Sequence, residues 1–218
     1  MKLVFFNLRE DEKSALESWR NAHPEVEIDV YTEELTSANK HLLEGKEGVV
    51  LAQNKPFERD VYEYAKEQGV KVFATRSAGF DIYDLELMSE LGIKMTNVPS
   101  YSPNAIAEHV LTSALRISRN TNKIQRNLEK HNFSWNPGIL SRELRTLTVG
   151  VIGTGRIGTQ AARLFNALGS KVLGYDVYQN EAAKEVLDYV ENLDDLIANS
   201  DIITIHMPAI KEYNHCLL

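Results

Sequence analysis

The feature that most constrains the fold of this chain is a glycine-rich run, Gly150-Val151-Ile152-Gly153-Thr154-Gly155-Arg156-Ile157-Gly158, between an apolar strand and a helix. In such a strand–turn–helix unit, Gly153 allows the tight turn and Gly155 lets a phosphate approach the backbone. Gly158 lets the helix pack closely on the strand. The run therefore predicts a dinucleotide-binding turn in a parallel sheet. Arg156 and Ile157, at the predicted helix N-terminus, would offer backbone contacts to the pyrophosphate.

An acidic residue at the expected distance narrows this prediction. Asp176 comes eighteen residues after Gly158, at the end of the next apolar strand, 171–175. A carboxylate there can accept hydrogen bonds from both hydroxyls of an adenosine ribose and would repel a 2′-phosphate. Val177 and Tyr178 follow it in place of an arginine. NAD is therefore the predicted cofactor, with a flavin, another adenine-containing ligand and a purely structural turn as the alternatives.

Composition excludes several other classes of function. The 218 residues are 43% hydrophobic and 25% charged, as in a globular protein, and carry a net charge of −7. No basic cluster favours nucleic acid or an anionic membrane as a partner, and no apolar run is long enough to span a bilayer. The single cysteine, Cys216, allows neither an intrachain disulfide nor a cysteine-rich metal site. We expect a cytoplasmic protein that acts on small molecules, without a metal.

The pattern along the chain predicts an α/β fold with two doubly wound units. Apolar, β-branched runs predict strands at 3–6, 26–31, 48–52, 70–75 and 93–96. Charged amphipathic stretches between them predict helices at 10–22, 36–43, 57–68 and 84–91. Residues 1–99 are thus predicted to form a flavodoxin-like unit with right-handed crossovers. Residues 100–218 form the second unit, which begins with one long linking helix over about 103–130.

The second unit is predicted to be an incomplete Rossmann domain. Its predicted strands are 147–152, 171–175 and 201–205, with helices at 156–168 and near 193–199. Only sixty residues follow Gly158, which is too few for a complete sheet of this kind. Strand 201–205 is apolar on both faces and is expected to be central in the sheet, so a further strand is expected beyond it. We therefore expect the chain to be C-terminally truncated.

Three blocks together resemble a known family. They are Arg76-Ser77-Ala78-Gly79-Phe80-Asp81, then Thr96-Asn97-Val98-Pro99-Ser100-Tyr101-Ser102-Pro103-Asn104-Ala105-Ile106-Ala107-Glu108-His109, then the Gly153 motif. In this order and spacing they resemble the D-2-hydroxyacid dehydrogenases, most of all the D-lactate dehydrogenases of lactic-acid bacteria. The resemblance covers almost the whole chain. It implies a two-domain NAD enzyme, a homodimer when full length, that reduces pyruvate to D-lactate between a catalytic and a cofactor domain.

The resemblance also assigns site residues. The backbone N–H groups of Ala78 and Gly79 would hold the substrate carboxylate, although a simple strand-to-helix turn is the alternative from the residues alone. Tyr101 would present its hydroxyl to the cleft, or would otherwise be a packed aromatic residue. The segment His206-Met207-Pro208 would pass beside the cofactor riboses. Tyr213 stands where the family usually has an asparagine near the cofactor.

Hydride transfer to a 2-oxo acid needs a cation that grips the carboxylate, a proton donor and a group that holds that donor charged, for which arginine, histidine and a carboxylate are the natural set. The resemblance places all three beyond Leu218, so no catalytic residue is expected within the chain. Arg76, His109 and His206 belong to different segments, and we interpret the two histidines as packing or interface residues. The alternatives to a D-lactate dehydrogenase are a non-catalytic NAD-binding or dimer-forming fragment and a dehydrogenase for a bulkier 2-oxo acid.

Overall fold

The computed structural model describes residues 1–207 of the 218-residue chain. It divides the chain into two compact units, the first from Met1 to Tyr101 and the second from Ser102 onward. The boundary expected after residue 99 lies in the same connecting segment. Each unit has its own parallel sheet and its own apolar core. The two sheets with their helices confirm the predicted α/β fold.

The first unit is a parallel sheet of five strands in the order β2-β1-β3-β4-β5. Its strands are β1 (Lys2–Phe5), β2 (Glu27–Val30), β3 (Gly48–Leu51), β4 (Val72–Thr75) and β5 (Lys94–Thr96). Its helices are α1 (Lys13–Ala22), α2 (Arg59–Glu67) and α3 (Leu85–Leu91). This strand order is that of the flavodoxin-like doubly wound fold, which confirms the predicted type. The order reverses between β1 and β3, where ligands bind in such sheets.

Alternation along the strands builds the core of the first unit. Val4, Val49 and Phe73 are buried on one face of the sheet, where they pack with α2 and α3 through residues such as Tyr62 and Met88. α3 begins at Asp84, whose carboxylate accepts a hydrogen bond of 2.9 Å from Leu87 N–H. It ends at Gly92, which has a positive φ of 70°. The elements that flank the sheet are thus delimited by local caps.

The second unit begins with two helices and continues as a four-stranded parallel sheet. The helices are α4 (Pro103–Ser118) and α5 (Thr121–Glu129), and the later ones are α6 (Arg156–Ala167) and α7 (Leu193–Ala198). The strands are β6 (Thr148–Ile152), β7 (Lys171–Tyr175), β8 (Asp188–Tyr189) and β9 (Ile202–Ile205), in the order β8-β7-β6-β9. This is the 3-2-1-4 arrangement with which a Rossmann sheet begins. The order reverses between β6 and β9, beside the glycine-rich turn.

Close packing on this second sheet depends on a missing side chain. A Cβ atom at Gly150 would lie 2.5 Å from both Leu196 Cδ2 and Ser200 Oγ. Gly150 is therefore the point at which the α7 region lies directly on β6. On the other face, α4 packs against α6, and Phe165 of α6 is fully buried.

Two predicted helices differ from the structure. The helix expected over 103–130 is interrupted between α4 and α5 by Asn120, which adopts a left-handed conformation (φ 54°). The helix expected over 36–43 is reduced to a 3₁₀ turn, Lys40–Leu43. Before it, Asn39 Oδ1 accepts a hydrogen bond of 2.7 Å from Thr36 N–H, and this local turn competes with helix formation.

The strand predicted to be central, β9, lies at one edge of the sheet within residues 1–207. Its side chains Ile203 and Ile205 are 40% and 50% exposed. Among the helices in this part of the chain, none combines the length and apolar character that crossing a lipid bilayer requires.

We predict that Asp84→Ala lowers the free energy of unfolding of the first unit by about 1 kcal/mol, because the first turn of α3 loses the side chain that accepts from Leu87 N–H. Asp84→Asn retains a capping oxygen and should change stability by only a few tenths of that amount. Urea unfolding followed by circular dichroism measures both. An equal loss in the two variants would show that the cap does not stabilise α3.

Candidate functional site

The glycine-rich turn lies at the C-terminal end of β6, beside the point where the sheet order reverses. Gly153 has a φ of +86° and donates a hydrogen bond of 2.9 Å to Tyr175 O. A Cβ atom at this position would lie 2.6 Å from Met207 N and 2.7 Å from His206 C. Both the conformation and the close approach therefore require glycine here.

The other two glycines of the run have different surroundings. A Cβ atom at Gly158 would lie 1.9 Å from Gly153 O, so the first turn of α6 rests directly on the backbone of the preceding turn. A Cβ atom at Gly155 would meet no atom within 4 Å. Gly155 is exposed and precedes α6 as its N-cap residue. The structure thus separates a packing glycine from one that keeps a space open in front of the helix.

The N-terminus of α6 faces that open space. α6 starts at Arg156, and its first turn includes Ile157. The N–H groups of a first helical turn have no partner within the helix, and the positive end of the helix dipole lies with them. With twelve residues, about three turns, α6 is long enough for the dipoles of its peptide units to add along the helix axis. Such an arrangement attracts a phosphate without a lysine.

Asp176 follows directly on β7 and is bound to the glycine-rich turn. Its Oδ2 atom accepts hydrogen bonds from the Thr154 backbone N–H (2.6 Å) and from the Thr154 hydroxyl (3.2 Å). Its Oδ1 atom accepts one from Tyr178 N–H (3.0 Å). The structure therefore brings together Asp176 and the glycine-rich turn. Half-buried and held in this way, the carboxylate faces the same edge of the sheet as the N-terminus of α6.

Residues that the sequence analysis did not identify support this arrangement. Thr154 is fully buried, and its hydroxyl lies 2.5 Å from the Tyr189 hydroxyl. Asn180 donates hydrogen bonds of 3.1 Å from Nδ2 to both Thr154 O and Thr159 Oγ1. Thr154 can be recognised in the sequence as the small polar residue between Gly153 and Gly155. Tyr189 and Asn180 carry no local signal because they lie 35 and 26 residues from Thr154 along the chain.

The segment after β9 lies against the same turn. His206 N–H donates a hydrogen bond of 2.7 Å to Ile152 O, and its ring Nε2 lies 3.0 Å from Thr204 Oγ1. Burial lowers the pKa of the His206 imidazole, which is therefore neutral near pH 7. Met207 packs against the core cluster that contains Ile152. Pro208 and Tyr213, also singled out in the sequence, lie outside the described residues.

In the first unit, Ala78 and Gly79 form an exposed loop after β4 whose carbonyl groups are engaged. The Ala78 carbonyl accepts a hydrogen bond of 2.8 Å from Asn97 Nδ2, and the Gly79 carbonyl accepts one of 2.7 Å from Ser77 Oγ. In the part of the chain that the structure describes, the backbone N–H groups of Ala78 and Gly79 donate no hydrogen bond. Two adjacent donors are thus available to an anion at this edge of the sheet.

Arg76 fixes the start of this loop. Its guanidinium donates hydrogen bonds to Phe6 O (3.0 Å) and Asn7 O (2.7 Å) and makes a bidentate pair with Glu12 (3.0 Å each). It also lies 4.1 Å from the centre of the Phe5 ring. The loop after β4 is therefore tied to the loop after β1, next to the reversal of strand order. With its donors committed in this way, Arg76 has a structural role and is not a ligand-binding cation.

The charge of Glu12 depends on this pair. Burial alone would raise the pKa of its carboxyl group, but hydrogen bonds from the Arg76 guanidinium and the Arg9 backbone outweigh burial. Together with the positive charges of both arginines, they hold the pKa of Glu12 below its ordinary value of 4.5.

Two other residues singled out in the sequence are exposed. Tyr101 closes the first unit with 78% of its surface exposed, three residues after Val98, whose N–H is bonded to Ser77 O (3.0 Å). His109 is exposed on α4 in the second unit. Within residues 1–207, no group of three or more His, Cys, Asp or Glu side chains is arranged to hold a metal ion. The groups at the carboxyl edges of the two sheets are thus suited to binding anions and hydroxyl groups.

Comparisons with known proteins agree with the sequence resemblance. Residues 111–217 match the family model described as the D-isomer specific 2-hydroxyacid dehydrogenase, NAD binding domain. A D-lactate dehydrogenase of Treponema pallidum is 49% identical over 217 residues, which are 100% of this chain and 65% of that protein. The chain therefore spans slightly less than two thirds of the length of this relative.

Solved structures show the same similarity. The apo-structure of the D-lactate dehydrogenase from Escherichia coli is matched with a TM-score of 0.82 at 33% identity, over 100% of this chain and 68% of that one. The D-lactate dehydrogenase from Aquifex aeolicus, complexed with NAD and lactic acid, is matched with a TM-score of 0.87 at 33% identity. That match covers 96% of this chain and 62% of the other. The predicted family resemblance is confirmed.

We predict that Glu12→Gln lowers the free energy of unfolding at pH 7 by about 1–3 kcal/mol, because Arg76 loses its charged acceptor. Since the folded pKa of Glu12 is below 4.5, its contribution is present above about pH 4.5 and is lost as the pH falls through the folded value. Stability in the variant should therefore fall less steeply below pH 4.5 than in the wild type. Urea unfolding at several pH values tests this.

The matched control is Glu17→Gln, because Glu17 is an exposed carboxylate on α1. It should show the wild-type dependence on pH. Identical dependence in wild type and Glu12→Gln would contradict the role assigned to the Arg76–Glu12 pair.

Proposed function

We propose that this chain, which belongs to the D-isomer specific 2-hydroxyacid dehydrogenase family, is part of an NAD-dependent D-lactate dehydrogenase. Its residues 111–217 match the NAD-binding domain of that family. The reaction is the reversible transfer of hydride between NADH and pyruvate. The observation that carries the proposal is the connection of Asp176 to the glycine-rich turn. Names of the relatives support the substrate, since the proteins from T. pallidum and E. coli are D-lactate dehydrogenases.

The described residues fit the adenosine half of NAD. The open space at Gly155, where a Cβ atom would meet nothing within 4 Å, gives the pyrophosphate access to the backbone. The first turn of α6, with Arg156 and Ile157, supplies N–H groups and the positive dipole end. Asp176 accepts a hydrogen bond from the adenosine ribose and disfavours the 2′-phosphate of NADP. His206 and Met207, which lie against Gly153, border the cofactor beyond the pyrophosphate.

The first unit is proposed to bind the substrate. The N–H groups of Ala78 and Gly79 would hold the carboxylate of pyruvate, and Tyr101 would place its hydroxyl beside it. Bound NADH supplies the hydride. Arg76 does not contact the substrate, because its guanidinium is occupied by Glu12 and two carbonyl groups. We propose that the residues for proton transfer belong to the part of the relatives' length that this chain does not span.

The same proposal extends to the cellular location of the protein and to its partners. Its net charge of −7 and its single cysteine agree with a cytoplasmic enzyme whose partners are small molecules, not nucleic acid or membranes.

A second copy of the chain is the proposed protein partner. Large apolar side chains are exposed along α4, α5 and the segment that returns along α5, and we name them the α5 surface: Ile117 (76%), Leu128 (47%), Phe133 (76%), Trp135 (69%) and Leu140 (61%). The returning segment is held to the start of α5 by Asn120 Nδ2, which donates to Leu140 O (2.7 Å). Exposed apolar residues concentrated in this way favour association.

We predict that the wild-type chain binds NAD in a calorimetric titration and that Gly155→Ala weakens binding by at least about tenfold, since its Cβ atom would occupy the space of the pyrophosphate. Its stability should not fall, because φ is −65° and no atom is nearby. Gly158→Ala is the matched control. Its Cβ atom would clash with Gly153 O and should lower the free energy of unfolding by about 1–3 kcal/mol or more.

Unchanged NAD affinity in folded Gly155→Ala would contradict the cofactor site. Formation of NADH from D-lactate and NAD by the homogeneous 218-residue chain would contradict the assignment of proton transfer to residues outside it.

We predict that the chain is dimeric in sedimentation experiments and that the double variant Ile117→Glu, Trp135→Glu is monomeric, because two charges would be buried at the α5 surface. Leu85→Glu, at an exposed apolar position of the first unit, should leave the dimer intact. A double variant with the wild-type sedimentation coefficient would exclude the α5 surface as the dimer contact.

A further inference from the structure

The Tyr189 hydroxyl belongs to a chain of hydrogen bonds that ends at Asp176. Asn180 N–H donates to the Tyr189 hydroxyl oxygen (2.8 Å), which lies 2.5 Å from Thr154 Oγ1. Thr154 Oγ1 in turn lies 3.2 Å from Asp176 Oδ2. The proposed contact of Asp176 with a ribose does not by itself explain why two further hydroxyl groups are aligned behind the carboxylate.

The direction of each hydrogen bond in this series follows from the groups at its two ends. A backbone N–H only donates, so the Tyr189 oxygen accepts from Asn180. An ionised carboxylate only accepts, so the Thr154 hydroxyl donates its single proton to Asp176. The remaining bond must then run from the Tyr189 hydroxyl to Thr154 Oγ1. Each hydroxyl proton has one assigned position, because reversing the bond between Tyr189 and Thr154 would leave the Thr154 oxygen facing Asp176 Oδ2 as one acceptor facing another.

The two residues that carry these hydroxyl groups are held by the surrounding structure. Tyr189 lies on β8 in register with Gly174 of β7, two residues before Asp176. Thr154 is fully buried, and Asn180 Nδ2 binds its carbonyl oxygen (3.1 Å). The hydroxyl of Tyr189 therefore reaches Thr154 from the neighbouring strand and not from a free loop.

We propose that Tyr189 is a positioning residue for cofactor recognition: acting through Thr154, its hydroxyl fixes the rotation of the Asp176 carboxylate so that the remaining acceptor position on Oδ1 meets a ribose hydroxyl of NAD. The proposal rests on the NAD binding proposed above. Asp176 Oδ2 is occupied by the two Thr154 groups, and Oδ1 accepts from Tyr178 N–H. A carboxylate oxygen accepts about two hydrogen bonds, so Oδ1 retains an acceptor position for the ligand.

Removal of the Tyr189 hydroxyl leaves Thr154 free to turn its proton elsewhere. Among the described residues, the Asp176 carboxylate is then held only by the backbone N–H groups of Thr154 and Tyr178, and its rotation is less restricted. A carboxylate that must be ordered on binding holds the ribose more weakly than one ordered in advance. The effect should concern the adenosine ribose alone, because the Tyr189 hydroxyl does not contact Gly155 or the first turn of α6 among its hydrogen bonds in residues 1–207.

The test is a double-mutant cycle on NAD affinity, measured by calorimetric titration of the 218-residue chain. Tyr189→Phe should weaken NAD binding by about tenfold, as expected when one hydrogen bond is lost from the series that fixes the charged acceptor. In an Asp176→Asn background the same substitution should weaken binding by less than about twofold. Thr154→Val should reproduce the loss, and Thr154→Ser, which keeps the hydroxyl, should restore wild-type affinity. Tyr175→Phe, on the adjacent strand, is the matched tyrosine control.

A second readout separates positioning from general damage. Tyr189→Phe should lower the preference for NAD over NADP, whereas a distorted glycine-rich turn would weaken both ligands equally. Equal weakening of both ligands, an undiminished effect in the Asp176→Asn background, or unchanged NAD affinity in the folded variant would each overturn the proposal. If Tyr189→Phe does not fold, Thr154→Val decides by the same criteria. Failure of the wild type to bind NAD would overturn the proposed function as well.

Discussion

The second unit depends on the contact between the backbones of Gly153 and Gly158. A Cβ atom at Gly158 would lie 1.9 Å from Gly153 O, so α6 can start directly behind β6 only because this atom is missing. That position puts the N-terminus of α6 at the carboxyl edge of the sheet, where ligands bind in open α/β folds. It also brings Thr154 within hydrogen-bonding distance of Asp176. The proposed recognition of phosphate and that of ribose thus both depend on one close packing contact.

The sequence predicted those parts of the structure that depend on local pattern. Apolar runs of four to six residues with turn residues between them identified the main strands, because strands buried in a parallel sheet are typically apolar over most of their length. The glycine spacing identified the turn after β6, since Gly153 and Gly158 each have a steric reason that no other residue satisfies. Asp176 was found because strand length fixes its distance from the motif. The alternation of strand and helix predicted a parallel sheet in each unit and the flavodoxin-like type of the first.

What the sequence could not predict depends on contacts between distant residues or on single conformations. The break at Asn120 leaves the apolar periodicity intact, because one left-handed residue redirects a helix without a glycine or proline. β8 has only two residues, too few to show a period. The pairs Arg76–Glu12 and Thr154–Tyr189 join residues 64 and 35 positions apart. Their partners are set by the topology of the sheet, so no local pattern indicates them.

We propose that the adenosine half of NAD is bound by the glycine-rich turn and Asp176. A crystal structure of the chain grown with NAD should show the pyrophosphate against the backbone of residues 155–157 and the adenosine ribose within hydrogen-bonding distance of the Asp176 carboxylate. Electron density for NAD at another place, or a ribose turned away from Asp176, would contradict it.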